Sequence, residues 1–310
     1  MSTMSDEQCN ATLAEREEFS KAMSDVPLIW DLLNTEQVFE SPIDINLSQT
    51  TPLDLPPLKW ENFGIPPRKM KVTNTGHTVI LSAKWGQERP YLTDGPLVGK
   101  YVFSQLHLHW GTNDMEGSEH TVDGGHLPGE MHVVTFKSCY LTQESALKEK
   151  DGIVILVYML KLQEKPNVVF QRLVEALKDV TQAHTSKKIE PFALSYLVRE
   201  FVVDYFTYCG SVSTDDCIHY VMWLITRVPI GVSSTQVNSL RNLMDGEGKL
   251  IQRNFRATQP AMDRPVLHVC PSTSKYSTLL PVPKPDSTTS REDVIKIYSV
   301  ERFYIQSNDE

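Results

Sequence analysis

Alternating apolar and polar positions run through the middle of the chain and predict strands. Five segments show this pattern, at 71–72, 77–85, 96–110, 131–140 and 152–162. The first two flank Asn74-Thr75-Gly76, which is typical of a turn. The apolar run 153–160 indicates a strand buried on both faces, and 220–227 predicts another strand near the centre of a sheet.

Helical spacing of apolar residues occurs in two places. After Pro166, apolar residues recur on one face as far as Leu177, which predicts a helix that ends near Thr181. Ser233 and Gln236 have the spacing of a capping box, and the apolar positions that follow extend the second predicted helix to Met244. Many strands and few helices predict a mainly β (α+β) protein, a single domain around one large sheet.

Length and composition allow one sizeable core. The chain has 310 residues, 40% of them hydrophobic and 22% charged. We expect a loose N-terminal tail at 1–26, a globular domain at 27–270 and a Pro/Ser/Thr-rich C-terminal extension at 271–310. The extension is interpreted as a linker with a short terminal element, and any protein partner of it is unknown.

Charge and cysteine usage narrow the class of protein. A net charge of −9 argues against a nucleic-acid surface. The apolar runs are shorter than the roughly 20 residues that a membrane-spanning helix needs. The first 25 residues lack the basic and apolar regions of a secretory signal, and the five cysteines are scattered without a Cys-x-x-Cys pair. These features predict a cytoplasmic protein with reduced thiols, or with at most one disulfide bridge.

Three histidines have the spacing of a metal site. His107 and His109 are two residues apart, so both imidazoles lie on one face of a strand. His132 begins another predicted strand, and the turn-rich segment between would fold it back antiparallel to the first. A single histidine on an apolar strand is more often a core residue. Three neutral imidazoles that leave a fourth position open are instead typical of catalytic zinc.

The same strand parity identifies partners for these rings. Gln105 lies on the face of His107, and Glu130 lies on the face of His132. A metal-ligating imidazole usually donates its other N–H to a carboxylate or carbonyl oxygen, which fixes its tautomer and orientation. Gln105 and Glu130 are therefore predicted to orient the ligands.

Several ordered stretches resemble the α-class carbonic anhydrases over about residues 25 to 265. The matching stretches are Ser41-Pro42-Ile43-Asp44-Ile45, Asn74-Thr75-Gly76-His77, the segments 105–111 and 117–123, Glu130-Met131-His132 and Asn254-Phe255-Arg256. The resemblance implies a large, twisted, mostly antiparallel sheet with a few peripheral helices and zinc at the base of a conical cleft. It also implies the reversible hydration of carbon dioxide to bicarbonate and a proton.

The resemblance assigns roles residue by residue. His107, His109 and His132 would bind Zn²⁺, and His77 would shuttle protons between the cleft and bulk solvent. Glu119 would accept a hydrogen bond from a hydroxyl side chain that in turn contacts the zinc-bound solvent. The matching residues for substrate binding are Ser213, Thr214, Val134, Ile155, Val212, Val221 and Trp223, the last five forming an apolar wall for carbon dioxide.

The hydroxyl position departs from the family pattern. Ser213 stands where the family usually has threonine, and Asp215 and Asp216 replace two prolines. Serine keeps the donor and acceptor but lacks the methyl group that restricts the rotamer. Two other functions therefore stay open: a catalytically weak or silent carbonic-anhydrase-related binding module, and a zinc hydrolase that acts on esters.

Overall fold

The computed structural model describes residues 39–202, 204–214 and 217–269. The predicted tail at 1–26 and extension at 271–310 lie outside the described residues, as do Asp215 and Asp216.

A large open sheet dominates the described chain. Its strands are β2 Thr51–Leu53, β3 Lys59–Glu61, β4 Lys69–Asn74, β5 Val79–Lys84, β6 Tyr91–Thr93, β7 Tyr101–Trp110, β9 Gly129–Lys137, β10 Ile153–Leu162, β11 Ser186–Ile189, β12 Tyr205–Thr214, β13 Cys217–Thr226, β14 Ile230–Val232 and β15 Leu267–Val269. A separate two-stranded sheet joins β1 Asp44–Ile45 to β8 Thr121–Val122.

The main path of the large sheet runs β11-β4-β5-β7-β9-β10-β13-β12-β15-β2, with β3, β6 and β14 paired beside it. Most neighbours are antiparallel, while β10 pairs parallel with β13 and β14, and β15 pairs parallel with β2. The prediction of one large, mostly antiparallel sheet with few helices is confirmed, and the three parallel pairs make the sheet mixed.

Strand β10 shows why the sheet has two cores. Every one of its residues is buried. Its even-numbered positions from Val154 to Leu160 pack into the cluster that contains the long helix, and its odd-numbered positions from Ile153 to Met159 pack into a second cluster. An unbroken apolar run therefore fits a strand covered on both faces, because successive side chains point to opposite faces.

The described helices are α1 Gln143–Ala146, α2 Val168–Leu177 and α3 Ser234–Leu240, with short 3-10 helices at Leu47–Gln49, Ser138–Tyr140 and Leu194–Tyr196. None of them has both the length and the apolar composition that a membrane-crossing helix requires.

Both predicted helices differ from the structure at their ends. Helix α2 begins after Asn167 rather than at Pro166, because the Asn167 side chain accepts hydrogen bonds from Val169 N–H and Phe170 N–H. It ends at Leu177, before the predicted Thr181. The capping box at Ser233 is present, but α3 stops at Leu240. Met244 lies beyond it, because its N–H donates to the Thr181 carbonyl instead.

Three strand boundaries are also corrected. The predicted strand 96–110 begins only at Tyr101, because Gly99 has φ +91°, which extended backbone does not allow. The predicted strand 131–140 ends at Lys137, where the Ser138–Tyr140 3-10 helix begins. His77 precedes β5 and lies in the turn that leads into it.

Candidate metal centre

Strands β7 and β9 bring the three predicted ligands together. A β-bulge between Phe103 and Gln105 sets the phase of β7, so that positions 106, 108 and 110 pack into the core. Positions 105, 107 and 109 lie on the other face and are only half-buried. His107 is the direct cross-strand partner of His132. Strand parity and antiparallel pairing therefore place all three imidazoles on one face.

The three rings converge. Ring centroids lie 5.1 Å apart for His107 and His109, 5.0 Å for His107 and His132, and 4.6 Å for His109 and His132. One nitrogen of each ring lies within 4.8 Å of the other two. His109 Nε2 is buried without a hydrogen-bond partner among the described residues. A buried, unpartnered ring nitrogen is costly unless something binds it, so the triad fits a zinc ion.

The second nitrogen of each ring is held by a different group. His107 Nδ1 lies 3.1 Å from Gln105 Oε1, and His132 Nε2 lies 2.6 Å from Glu130 Oε1. His109 Nδ1 lies 3.0 Å from the Asn254 carbonyl. The nitrogens left for a metal are therefore Nε2 of His107, Nε2 of His109 and Nδ1 of His132. These contacts fix ring orientation in the way that metal ligands require.

A buried polar network continues behind His132. Glu130 is fully buried, and its Oε1 lies 2.7 Å from His120 Nδ1 while its Oε2 accepts a hydrogen bond from His120 N–H. His120 Nε2 lies 2.6 Å from the Tyr208 hydroxyl, which lies 3.1 Å from Ser41 Oγ. The orientation of His132 is thus coupled to β12 and to the start of the described chain.

Burial and nearby charges set the ionisation of His107 and Glu130. These two residues belong to the floor of the site, which is formed by the three imidazoles and the groups that orient them. Burial, together with the neighbouring His132 and His109, holds the pKa of His107 well below its ordinary value, which favours the neutral form that binds metal. Burial alone would raise the pKa of Glu130, but the electrostatic attraction of His120 and the hydrogen bonds from His120 and His132 outweigh it. The pKa of Glu130 therefore lies well below its usual range, and the carboxylate is ionised.

Glu119 lies beside the triad. Its Oε1 accepts a hydrogen bond from Arg256 N–H at 2.9 Å and lies 3.3 Å from His109 Nδ1. Ser213 lines the same cavity, but its side chain is exposed, and no hydrogen bond joins it to Glu119 within the described residues. The structure therefore brings Ser213 and Glu119 to one cavity without linking them.

An apolar wall faces the triad across a cavity of about 320 Å³. Val134, Ile155, Val212 and Trp223 line it. Val221 does not contact the cavity; it is fully buried in the apolar cluster behind the wall. Thr214 ends β12 opposite Cys217. Adjacent pairing of Val134 with Ile155, and of Ile155 with Trp223, explains how residues far apart in sequence form one wall.

A second cavity, of about 800 Å³, leads from the triad towards solvent. His107 and His109 line its inner end, and His77 lines it as an exposed side chain in the turn before β5. The predicted proton-shuttle residue therefore shares a cavity with two of the predicted ligands.

Several residues that orient the imidazoles have no local sequence pattern that predicts this role. His120, Tyr208 and Ser41 form the network behind Glu130, and Asn254 holds His109 from 145 positions away. Local periodicity finds Gln105 and Glu130 because each is two residues from its histidine. It contains no signal for partners that the fold brings from other strands and loops. In the sequence, only the family motifs at 117–123 and 254–256 indicate that His120 and Asn254 belong to the site.

The protein thus combines an open mixed sheet with a triad of histidines that could hold a metal ion. The family model described as eukaryotic-type carbonic anhydrase matches residues 28–270, and the chain belongs to this family. Carbonic anhydrase 3 of Bos taurus is 34% identical over 230 residues, which cover 73% of this chain and 87% of that protein.

Two further relatives agree. Carbonic anhydrase 6 of Bos taurus is 31% identical over 233 residues, 73% of this chain and 72% of that protein. Carbonic anhydrase 3 of Homo sapiens is 36% identical over 202 residues, 63% of this chain and 76% of that protein.

Proposed function

We propose that this protein is a zinc-dependent lyase that reversibly hydrates carbon dioxide to bicarbonate and a proton. The observation that carries the proposal is the triad of His107, His109 and His132, in which each ring has one nitrogen held and one turned to a common point. Membership of the carbonic anhydrase family supports the same reaction.

His107, His109 and His132 would hold the zinc ion. When bound there, zinc would supply Lewis acidity and lower the pKa of water to about 7, a behaviour already established for carbonic anhydrase itself. The neutral imidazoles add no charge to the site, so this acidifying effect is kept. Gln105, Asn254 and Glu130 keep the rings in place during turnover.

The apolar wall and the polar rim, formed by Ser213, Thr214 and Glu119, would have separate roles in binding the substrate. Val134, Ile155, Val212 and Trp223 offer carbon dioxide a dry surface beside the triad, and Val221 supports that surface from behind. Ser213, with Thr214 beside it in β12, would orient the substrate through its hydroxyl, and Glu119 would fix the direction of the hydrogen bonds at the metal.

One proton must leave the site for each bicarbonate formed. His77 is exposed and lines the cavity that reaches His107 and His109, so its imidazole is placed to carry that proton towards solvent. Imidazole suits this role because its charge changes near neutral pH.

A second candidate function is favoured by the position of Ser213. Its exposed side chain forms no hydrogen bond with Glu119 among the described residues, and Glu119 Oε1 accepts one from Arg256 N–H. A carbonic-anhydrase-related protein that binds zinc but turns over slowly, and acts mainly as a binding module, fits that arrangement. The cytoplasmic location expected from the sequence stays a prediction.

Two measurements on the full chain decide between these functions. We expect one zinc per chain by atomic absorption and carbon dioxide hydration well above buffer background by stopped-flow spectrophotometry. Stoichiometric zinc with hydration at background would exclude the enzyme and leave the binding module. Ester hydrolysis without hydration would instead support the zinc hydrolase.

A further inference from the structure

Two histidines stand apart from the other seven. The chain has nine histidines, and the rings of seven contact a polar group: His107, His109, His120, His126, His132, His219 and His268. Within residues 39–202, 204–214 and 217–269, the rings of His77 and His184 have no such hydrogen bond, and both side chains are exposed. Their ring nitrogens are therefore open to solvent.

Both of these histidines line the same cavity. The cavity of about 800 Å³ has His107 and His109 at its inner end, with His77 and His184 on its wall. A methyl group placed on Gly76, the residue before His77, would lie 3.7 Å from His184 Cε1. The two exposed imidazoles therefore belong to neighbouring turns at one mouth.

A single buried amide holds these turns together. Asn74 Oδ1 accepts a hydrogen bond from Gly76 N–H, and Asn74 Nδ2 donates to the carbonyls of Thr181 and Met244. The Asn74 carbonyl accepts a hydrogen bond from His184 N–H at 2.8 Å. The fully buried Asn74 thus fixes both histidine turns against each other, so their shared position does not depend on a flexible loop.

The backbone at His184 presents its side chain to the cavity. His184 has φ +60°, in the left-handed region where asparagine, aspartate and histidine are enriched among non-glycine residues. The charged side chains on the cavity wall are Asp245, Glu247 and Arg253, from the loop that faces both histidines. An imidazole at the mouth therefore lies among two carboxylates and one guanidinium.

We propose that His184 is a second proton-transfer residue at the mouth of this site, acting beside His77. The inference rests on the proposed hydration reaction. His184 accepts the proton released in hydration on a ring nitrogen, from cavity solvent or from His77, and passes it to buffer. The ring returns to its neutral form in each turnover, so the proton balance is closed.

The test uses His77→Ala, His184→Asn and the double variant of the full-length zinc protein. Asparagine tolerates the positive φ, so His184→Asn removes the imidazole without new backbone strain. At low buffer concentration we expect the double variant to have a kcat about threefold or more below His77→Ala, with kcat/KM unchanged, and imidazole in the buffer to restore kcat. Gln182→Asn, in the same turn but off the cavity wall, is the matched control and should match wild type.

A second readout does not require activity. In the metal-free protein, we expect a soluble paramagnetic agent to broaden the ring resonances of His77 and His184 in the NMR spectrum, because both side chains are exposed, and to leave those of the buried His120 sharp. A double variant whose kcat equals that of His77→Ala, or a His184 ring that the agent does not broaden, would overturn the proposal while leaving hydration by the wild type intact. A wild-type protein that holds zinc but does not hydrate carbon dioxide would overturn both the proposed function and this role.

Discussion

The floor and the mouth of the cleft use histidine in opposite ways. On the floor, His107, His109 and His132 sit on strands, and each ring is oriented by a hydrogen bond to another group. At the mouth, His77 and His184 sit in turns, and their rings meet no partner among the described residues. A ligand has to keep one orientation, whereas a proton carrier has to exchange with solvent.

The histidines of the floor and of the mouth also differ in the hydrogen bonds that hold them in place. The floor side chains are held directly, by Gln105, Glu130 and the Asn254 carbonyl. At the mouth only the backbone is held, by Asn74. Hydrogen bonds therefore fix the side chain where its orientation matters, and only the backbone where the position of the ring is enough.

Removing one of the three predicted zinc ligands should have the largest effect. In His107→Ala we expect loss of stoichiometric zinc and loss of hydration to background, because two imidazoles do not complete a zinc site. Zinc content and stopped-flow hydration measure both. His126→Ala is the control, since its ring contacts the Ser118 carbonyl and not the triad. Full zinc occupancy in His107→Ala would show that the triad is not the metal centre.

Removing the negative charge of Glu130, which contacts His132 and His120, should have the next largest effect. Glu130→Gln places an amide where two histidine rings and the His120 N–H meet a carboxylate. We expect zinc affinity to fall by about 10- to 100-fold, the usual cost of losing such a partner, as measured by chelator competition. Glu116→Gln, in the loop before Glu119, should stay near wild type. Unchanged affinity in Glu130→Gln would contradict the orienting role.

Removing the side-chain amide of Asn74, which joins the two turns at the mouth, should lower the free energy of unfolding and leave zinc binding unchanged. Asn74→Ala leaves the Gly76 N–H and two carbonyls without their partner in a buried position. We expect a loss of about 2 kcal/mol in the free energy of unfolding, measured in urea, with zinc affinity retained. Thr73→Ala, one residue earlier and half-buried, should cost about half of that or less. If Asn74→Ala and Thr73→Ala lowered the free energy of unfolding equally, Asn74 would not be what holds the two turns together.

Restoring the family residue on the rim should have the smallest effect. Ser213→Thr adds the methyl group that restricts the hydroxyl rotamer, so we expect kcat/KM to rise about two- to fivefold. Steady-state hydration measures it, with Ser145→Thr on the exposed helix α1 as the control. A decrease in kcat/KM would show that the cavity is adapted to serine and that the departure from the family pattern is not a simple loss.

Much of the fold and the floor of the site could be predicted because both depend on period-two patterns. The alternation in β7 placed His107 and His109 on one face, and the same rule placed Gln105 and Glu130 beside their histidines. The element ends were less predictable. The apolar pattern predicts helix ends at Pro166 and Thr181, whereas the cap at Asn167 and the hydrogen bond from Met244 N–H to Thr181 set the observed boundaries.

Side-chain parity and motif order in the sequence are enough to predict a large sheet, three imidazoles on one face and the family that the ordered motifs resemble. Each of these follows from local side-chain parity or from motif order. Only the tertiary structure decided that Asn254 holds His109, that Ser213 and Glu119 share a cavity without a hydrogen bond, and that His184 lies at the mouth beside His77. The physical reason is that these contacts join elements more than 90 residues apart, where pairing and packing rather than periodicity set the distances.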